Sequence, residues 1–197
     1  MTEQISEKIS YISCSAEPLS ADIGIIKTDN GVWLYDCGND INSIAGLGGS
    51  YNIVLSHFHP DHTGNLDKLG INELYISKET AGHIKRPGVI VEKDLYIGEL
   101  HIFPLRSCHA KGCLALEVDE SWCFVGDALY GREKAGRYSY NAQLLKEETE
   151  QLKKLKARYL LVSHYPGLVR DKAEVIGELE SIYALRQPGE PEIAVRK

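Results

Sequence analysis

Three imidazoles and a carboxylate occupy six consecutive positions of this sequence, His57-Phe58-His59-Pro60-Asp61-His62. Imidazole nitrogen and carboxylate oxygen are the ligands that suit zinc and similar divalent ions when one coordination position is kept open for water. Closely packed imidazoles and a carboxylate also need a compensating partner. The segment therefore predicts a metal site rather than a polar loop, with two pairs of ligands presented to two adjacent points.

Single residues of the same ligand types recur later in the chain. His109 follows HIFPLRSC, Asp127 follows WCFVG, and His164 follows RYLLVS. Each of these segments reads as a short strand, so three more strand ends each deliver one candidate ligand.

The elements that must position the six-residue segment are short strands. The apolar run YNIVLS at 51–56 predicts a buried strand that ends directly at His57. His57 and His59 point the same way only if the chain stays extended, and Pro60 disfavours a helix, so we expect a tight loop there. Earlier in the chain, Asn30-Gly31 between two β-type runs predicts a hairpin. Later in the chain, the turn between CLALEV and WCFVG predicts a second one.

Two longer helices are expected in the last third of the chain. Asn141 is a plausible N-cap for the first helix, and Asp171 for the second. The apolar stripe of the first helix consists of Leu144, Leu145, Leu152 and Leu155. Residues 188–197 are expected to form a loosely held tail. The 197 residues show no internal repeat and no linker, which predicts one domain over 1–197.

Composition narrows the classes of function. The formal net charge of −6 provides no overall positive field for nucleic acid, and no stretch approaches the length of a membrane span. The start of the chain lacks a signal-peptide core, so a cytoplasmic location is expected. The five cysteines show no CxxC spacing and are expected to be reduced, with Cys108 and Cys113 as packing residues.

The motifs resemble those of the metallo-β-lactamase superfamily of metal-dependent hydrolases. The resemblance rests on HFHPDH at 57–62, CHAKG at 108–112, GDALYG at 126–131 and SHYPG at 163–167, which stand in the family's order at compatible intervals. It implies an α+β fold, a four-layer αββα sandwich with the site at one edge of two facing sheets. Asp36 in LYDCGN resembles the family's structural aspartate beside the metal loop.

The resemblance also implies a division of the ligands. His57, His59 and His109 would bind a first ion, Asp61, His62 and His164 a second, and Asp127 would bridge both. Two ions about 3.5–4 Å apart can share one hydroxide and polarise a carbonyl or phosphoryl oxygen, so no protein nucleophile is required. Asp61 would orient the hydroxide or carry a proton to the leaving group. Zinc is the expected metal, with iron or manganese as alternatives.

The sequence indicates the substrate less clearly than the metal ligands. Glyoxalase II-like thioesterases carry a C-terminal helical region, for which the residues after His164 leave little room. Tyr130 resembles a lactonase tyrosine that donates a hydrogen bond to the developing oxyanion, although packing would also explain it. Arg132, Lys134 and Arg137 are candidate contacts for an anionic small-molecule substrate, or belong to a solvated loop. His83 and His101 match no ligand motif.

The sequence thus predicts a dinuclear hydrolase that acts on an ester, thioester or lactone. Three alternatives stay open: an iron-dependent persulfide dioxygenase-like enzyme, a phosphodiesterase, and a metal-binding scaffold without turnover. Oligomeric state is not indicated by any feature of the sequence.

Overall fold

Two β-sheets packed face to face form the centre of the molecule. The computed structural model describes residues 2–134 and 136–196, with the side chains of Lys134 and Arg196 outside the description. Within these ranges, no helix has the length and apolar character that a membrane crossing requires.

The first part of the chain supplies one large sheet, a small hairpin and two short helices. Its strands are β1 (Thr2–Gln4), β2 (Ile9–Ile12), β3 (Ser15–Ala16), β4 (Leu19–Ser20), β5 (Ile23–Thr28), β6 (Gly31–Tyr35), β7 (Ser50–Val54), β8 (Gly70–Ile76) and β9 (Val89–Ile90). The helices are α1 (Pro60–Thr63) and α2 (Lys78–Ile84), and a 3₁₀ turn spans Leu66–Lys68.

The second part supplies the facing sheet, a three-stranded sheet and two long helices. Its strands are β10 (Leu95–Ile97), β11 (Leu100–Pro104), β12 (Leu114–Val118), β13 (Trp122–Gly126), β14 (Arg132–Lys134), β15 (Arg137–Asn141), β16 (Tyr159–Val162), β17 (Val169–Asp171) and β18 (Glu192–Arg196). The helices are α3 (Ala142–Lys154) and α4 (Lys172–Ala184).

Each large sheet has parallel neighbours beside the site: β6 to β9 run parallel in the first sheet, and β13 and β16 in the second. The first sheet has the order β1-β2-β5-β6-β7-β8-β9, and the second has β10-β11-β12-β13-β16-β17. Because parallel strands end at the same edge, residues that follow them are brought together there.

Three apolar clusters divide the molecule into four layers. The central cluster joins the facing sides of the two sheets, where Tyr35 stacks on Phe124 with ring centroids 5.1 Å apart. A second cluster covers the outer face of the first sheet and includes Ile84 of α2. A third packs α3 and α4 on the second sheet through Leu145 and Leu179. The predicted α+β fold, a four-layer αββα sandwich, is confirmed.

Several local predictions are also confirmed. Strands β5 and β6 form the hairpin expected at Asn30-Gly31, and β12 and β13 form the second one. The Asn141 side chain accepts hydrogen bonds from the Gln143 and Leu144 N–H groups at the start of α3. Asp171 caps α4 in the same way, through the Ala173 N–H.

Two predictions are wrong. The tail is not loosely held over Glu192–Arg196, because β18 pairs antiparallel with β15 and Ile193 is buried. Ile193 and Val195 alternate as in a strand, but the neighbouring prolines and glycine are typical of a loop. Pro60 does not prevent a helix either, since it occupies the first position of α1, where a missing N–H costs nothing.

A buried glutamate in α3 is the least expected feature of the core. Glu148 is fully buried, and neither carboxyl oxygen has a hydrogen-bond partner among the described residues. Burial raises the pKa of Glu148 well above its usual range, so the folded protein holds it in the neutral form. The unfolded chain ionises this group once the pH exceeds its ordinary pKa, so Glu148 lowers stability progressively as the pH rises.

We therefore expect Glu148→Met to raise the free energy of unfolding by about 1–4 kcal/mol near neutral pH. The gain should shrink on acidification to below about pH 4, where the unfolded chain also holds the proton. Urea unfolding as a function of pH measures this difference. Glu147→Met, at the neighbouring half-buried position where the carboxylate faces Arg106, is the control and should show no comparable pH dependence. A Glu148→Met protein less stable than wild type at neutral pH would contradict the interpretation.

Candidate metal centre

The ends of the parallel strands beside the site place most of the candidate ligands. Asp36 follows β6, and His57 comes shortly after β7. In the facing sheet, Asp127 follows β13 and His164 comes shortly after β16. His109 lies in the connection between β11 and β12. All seven predicted ligands are thereby brought to one edge of the sandwich, where they form two groups.

The first group consists of three imidazoles, His57, His59 and His109, whose ligand atoms all lie within 4.8 Å of one another. His57 Nε2 lies 2.9 Å from His59 Nδ1, and His109 Nε2 lies 3.1 Å from the same atom. Three nitrogens therefore face a common point. A set of three protein ligands leaves a fourth tetrahedral position for water or substrate.

The second group consists of Asp61, His62, Asp127 and His164, again with ligand atoms within 4.8 Å of one another. Asp61 Oδ2 lies 3.2 Å from His164 Nε2 and 3.6 Å from His62 Nε2. Asp61 and His62 belong to α1, so the helical turn that Pro60 begins separates their direction from that of His57 and His59. The change from extended chain to helix therefore directs the pair His57 and His59 to one group and the pair Asp61 and His62 to the other.

Asp127 lies between the two groups. Its Oδ2 is 3.3 Å from His62 Nε2 in the second group and 3.5 Å from His109 Nε2 in the first. Its Oδ1 is 3.8 Å from His164 Nε2. A carboxylate in this position can contact two adjacent ions, which agrees with the bridging position that the family resemblance implies.

A buried carboxylate behind the ligands orients two of the imidazoles. Asp36 accepts hydrogen bonds from the Ser56 N–H and Ser56 Oγ, each at 2.7 Å, and its Oδ2 lies 2.7 Å from His62 Nδ1. Ser56 Oγ also lies 2.9 Å from His57 Nδ1. Because Ser56 donates its hydroxyl proton to Asp36, the hydrogen bonds call for a proton on Nδ1 of both imidazoles and direct each Nε2 toward the metal position.

The close approach behind this carboxylate requires a glycine. Gly126 has φ +56, and a Cβ atom at that position would lie 2.7 Å from Ser56 Cβ. Asp36 and His164 themselves have φ values of 63 and 62, a region that side chains other than glycine rarely adopt. Two residues at the edge that carries the ligands are thus held in a sparsely populated backbone conformation.

The first group is electrically neutral. Burial, followed by the neighbouring imidazoles, holds the pKa of His57 far below its usual range. Burial also lowers the pKa of His59, and that of His109 to about 4. These three histidines therefore keep unprotonated nitrogens at neutral pH, as metal ligands must.

The second group favours positive charge. Burial by itself lowers the pKa of His62, but the carboxylates of Asp36 and Asp127 outweigh it and raise the pKa to about 10. The hydrogen bond that its Nε2 donates to the Asp61 carboxylate raises the pKa of His164. For Asp61, burial is the largest influence and raises the pKa, but the hydrogen bond with His164 and the charge of His62 together outweigh it, so the pKa is lowered. An electric field that favours a proton at these nitrogens also favours a metal ion.

The residues fit a bound cation. His62 Nε2 and Asp127 Oδ1 are buried and have no hydrogen-bond partner within the described ranges. Buried polar atoms without partners are costly in a folded protein, and a metal ion between them would satisfy both. The donor set contains nitrogen and oxygen without thiolate, which suits zinc, iron or manganese.

Tyr130 has a different partner from the one expected. Its hydroxyl donates a hydrogen bond to the Ser163 carbonyl at 2.7 Å, next to His164. With its proton used there, the phenol is not free to donate to an oxyanion in this arrangement. Its contact instead holds the turn that presents His164. The predicted catalytic role therefore does not match the geometry.

The predicted substrate-binding cations lie on the β14–β15 hairpin. Arg132 and Arg137 are exposed, and the side chain of Lys134 lies outside the described residues. The hairpin belongs to the three-stranded sheet that β18 completes. None of these positions is among the residues that form the two ligand groups.

Sequence reasoning missed the residues that orient the ligands from a distance. Asp22 is buried and accepts hydrogen bonds from the His164 N–H and the Cys14 N–H, each at 2.9 Å. Ser56 precedes His57 directly but carries no motif of its own. His83 stacks on Phe58 inside the six-residue segment. Only the position of Ser56, between the buried strand and the first ligand, could have drawn attention to it.

The Asp36 contact predicts the effect of a single conservative change. In Asp36→Asn the amide N–H₂ would face His62 Nδ1, which must then accept a hydrogen bond and carry its proton on Nε2 instead. That proton occupies the metal position, so we expect zinc affinity to fall by about 10–100-fold. Competition with a chromophoric chelator measures the affinity.

The matched control is Asp29→Asn, because Asp29 is exposed in the turn between β5 and β6. It should bind zinc as wild type does. Circular dichroism should establish that both variants are folded. A folded Asp36→Asn protein with unchanged zinc affinity would show that this carboxylate does not orient His62 for a metal.

Comparison with known proteins extends to structure but not to sequence. No family model and no curated protein matches this chain. The DIM-1 metallo-β-lactamase is similar with a TM-score of 0.71 at 13% identity, covering 93% of this chain and 96% of that one. A metallo-β-lactamase from Hirschia baltica has a TM-score of 0.66 at 12% identity, covering 93% and 97%.

A variant of the flavo di-iron protein from Thermotoga maritima is also similar. Its TM-score is 0.67 at 16% identity, and the match covers 93% of this chain but 62% of that one. At these low identities the similarity concerns the fold and not the activity. The chain therefore has the α+β fold of the metallo-β-lactamases, with two residue groups at its edge that could hold metal ions.

Proposed function

We propose that this chain is a metal-dependent hydrolase with two zinc-type ions as cofactors, and that it cleaves an ester, thioester or lactone. The observation that carries the proposal is the pair of adjacent ligand groups with Asp127 between them. A structural metal site is normally closed by four protein ligands. Two adjacent positions that share Asp127, instead of one closed set of four ligands, are the arrangement in which a hydroxide can be shared, which favours catalysis over scaffolding.

The ligands divide the work between the two positions. His57, His59 and His109 would hold one ion, Asp61, His62 and His164 the other, with Asp127 shared. When bound, the two ions would supply hydroxide at neutral pH and polarise the oxygen of the scissile group. The neutral first group and the carboxylate-containing second group would give the two positions unequal charge, so we assign substrate polarisation to the side of the three imidazoles.

Asp61 is the residue that we assign to proton transfer. Its side chain is 14% exposed, so it is shielded but within reach of a substrate at the edge of the sandwich. The hydrogen bond with His164 orients its Oδ2. A carboxylate held in this way can take a proton on its oxygen and pass it to the leaving group.

The substrate class is inferred from the ligand set. Asp61 is present and no cysteine is among the ligands, a pattern that resembles the glyoxalase II and lactonase branch. We infer a small-molecule substrate in the cytoplasm, and the net charge of −6 argues against nucleic acid. Arg132 and Arg137, and the neighbouring Lys134, are proposed to contact an anionic part of the substrate from the hairpin that follows Asp127.

Iron chemistry is the second candidate function. The flavo di-iron protein shares this fold, and a set of imidazoles and carboxylates suits iron as well as zinc. A persulfide dioxygenase-like enzyme would then be the alternative. Oxygen uptake by the iron-loaded protein on addition of glutathione persulfide would favour this reaction over hydrolysis.

A substrate panel tests the proposal. Protein loaded with zinc, manganese or iron should be assayed against thioesters, lactones, aryl esters and phosphodiesters. We expect the zinc form to hydrolyse a thioester, lactone or aryl ester. Asp61→Asn should lower kcat by at least about 100-fold because proton transfer and one ligand are lost together.

The matched control is Asp67→Asn, an exposed carboxylate shortly after α1. It should retain activity. If the protein hydrolyses only phosphodiesters, the proposed substrate class is wrong. If it takes up oxygen and hydrolyses nothing, the proposed reaction is wrong. A protein that binds metal and turns over none of these substrates would indicate a scaffold.

A further inference from the structure

Helix α2 contacts the segment that carries two ligands of the first group. The ring of His83, near the end of α2, stacks on Phe58 with centroids 3.8 Å apart and planes inclined by 11°. Phe58 lies between His57 and His59 in sequence. Its ring meets that of His59 edge-on, at 5.0 Å and 86°, and that of His57 at 6.3 Å and 71°. Phe58 is thus held between α2 and the ligand pair.

The orientation of His83 is itself restrained. Its Nδ1 lies 2.9 Å from the Glu79 carbonyl one turn earlier in α2, within hydrogen-bond distance. The imidazole is exposed, so its flat contact with Phe58 is not a consequence of deep burial. An exposed histidine anchored to its own helix can act as a fixed surface for an aromatic neighbour.

The other end of α2 contacts the loop that carries the third ligand. Gly112, three residues after His109, has φ +74. A Cβ atom there would lie 2.5 Å from Ser77 Oγ and 2.8 Å from Glu79 Cβ, so only glycine allows this approach. Ser77 is the N-cap of α2 and accepts a hydrogen bond from the Thr80 N–H at 3.1 Å. The start of the helix is therefore fixed where the loop meets it.

The second group is anchored by other contacts. Asp36 orients His62, and Asp22 holds the backbone of His164. The two groups share Asp127 and the Asp36–Ser56 pair, since Ser56 Oγ also lies 2.9 Å from His57 Nδ1. The contacts of α2 through His83 and Ser77 reach segments that carry the first group. A change in α2 should therefore alter metal affinity at the first position more than at the second.

We propose that α2 is the platform of the first metal position and that His83 is a positioning residue for it. Through Phe58, His83 holds the extended backbone of His57 and His59, while Ser77 and Glu79 hold the loop of His109. The inference rests on the proposed metal centre. It adds a residue that matches no ligand motif and is itself no ligand.

Zinc affinity in single-group backgrounds tests this role without any assay of activity. The His164→Ala background keeps all three residues of the first group, and the His109→Ala background keeps all four of the second. In the first background we expect His83→Ala to weaken zinc binding by about tenfold, the lower end of the range for residues that support ligands. In the second background it should have no effect. Chelator competition measures both.

His83→Phe is the rescue variant, because it keeps a flat ring against Phe58 and removes the imidazole nitrogens. It should restore most of the zinc affinity that His83→Ala loses, because the ring contact is kept although the hydrogen bond with the Glu79 carbonyl is lost. Lys78→Ala is the matched control, since Lys78 is exposed in the same helix. It should leave both backgrounds unchanged.

Three outcomes would overturn the inference: unchanged affinity of His83→Ala in the His164→Ala background, an equal loss in both backgrounds, or a loss that His83→Phe does not restore. Failure of the proposed metal centre looks different, because the wild-type protein itself would then bind no zinc, before any change is made at His83. Failure of the proposed hydrolysis alone would leave zinc binding, and so this test, intact.

Discussion

The buried carboxylate of Asp36 is the interaction on which the arrangement of the site depends. It accepts two hydrogen bonds from Ser56 and contacts His62 Nδ1, so one side chain joins the end of β6, the segment after β7 and the start of α1. The Ser56 carbonyl in turn accepts a hydrogen bond from the Leu114 N–H in the facing sheet. The same network therefore aligns the two sheets and sets the protonated nitrogen of the imidazoles, which ties the packing of the fold to its chemistry.

The two ligand groups have complementary electrostatic properties. Burial keeps the first three histidines neutral, with lowered pKa values, while the carboxylates around His62 raise its pKa to about 10. The first group thus offers lone pairs to a cation, and the second offers negative charge. Both arrangements lower the stability of the metal-free protein. In the first group lone pairs face one another, and in the second buried polar atoms lack hydrogen-bond partners among the described residues. A pair of bound cations would compensate for both, by accepting the lone pairs and by contacting the buried polar atoms.

Much of this could be predicted from the sequence because the ligand motifs are local and lie at strand ends. The strand before His57, the hairpins and the caps of α3 and α4 all follow from short patterns. The failures have physical reasons. Pro60 is compatible with the first turn of a helix as well as with a loop, and β18 is specified by its partner β15 more than by its own residues. Asp22 and His83 act across large sequence separations, so no local pattern marks them, and the proton of Tyr130 is committed by a carbonyl 33 residues away.

The central claim is that the two groups hold two adjacent metal ions. The most direct measurement is anomalous X-ray diffraction from crystals of the zinc-loaded protein, recorded on both sides of the zinc absorption edge. The account predicts two peaks about 3.5–4 Å apart. One should lie about 2.0–2.1 Å from the facing nitrogens of His57, His59 and His109, and the other at similar distances from His62 and His164. Anomalous density absent from this edge of the sandwich, or located only at other surface residues, would contradict it.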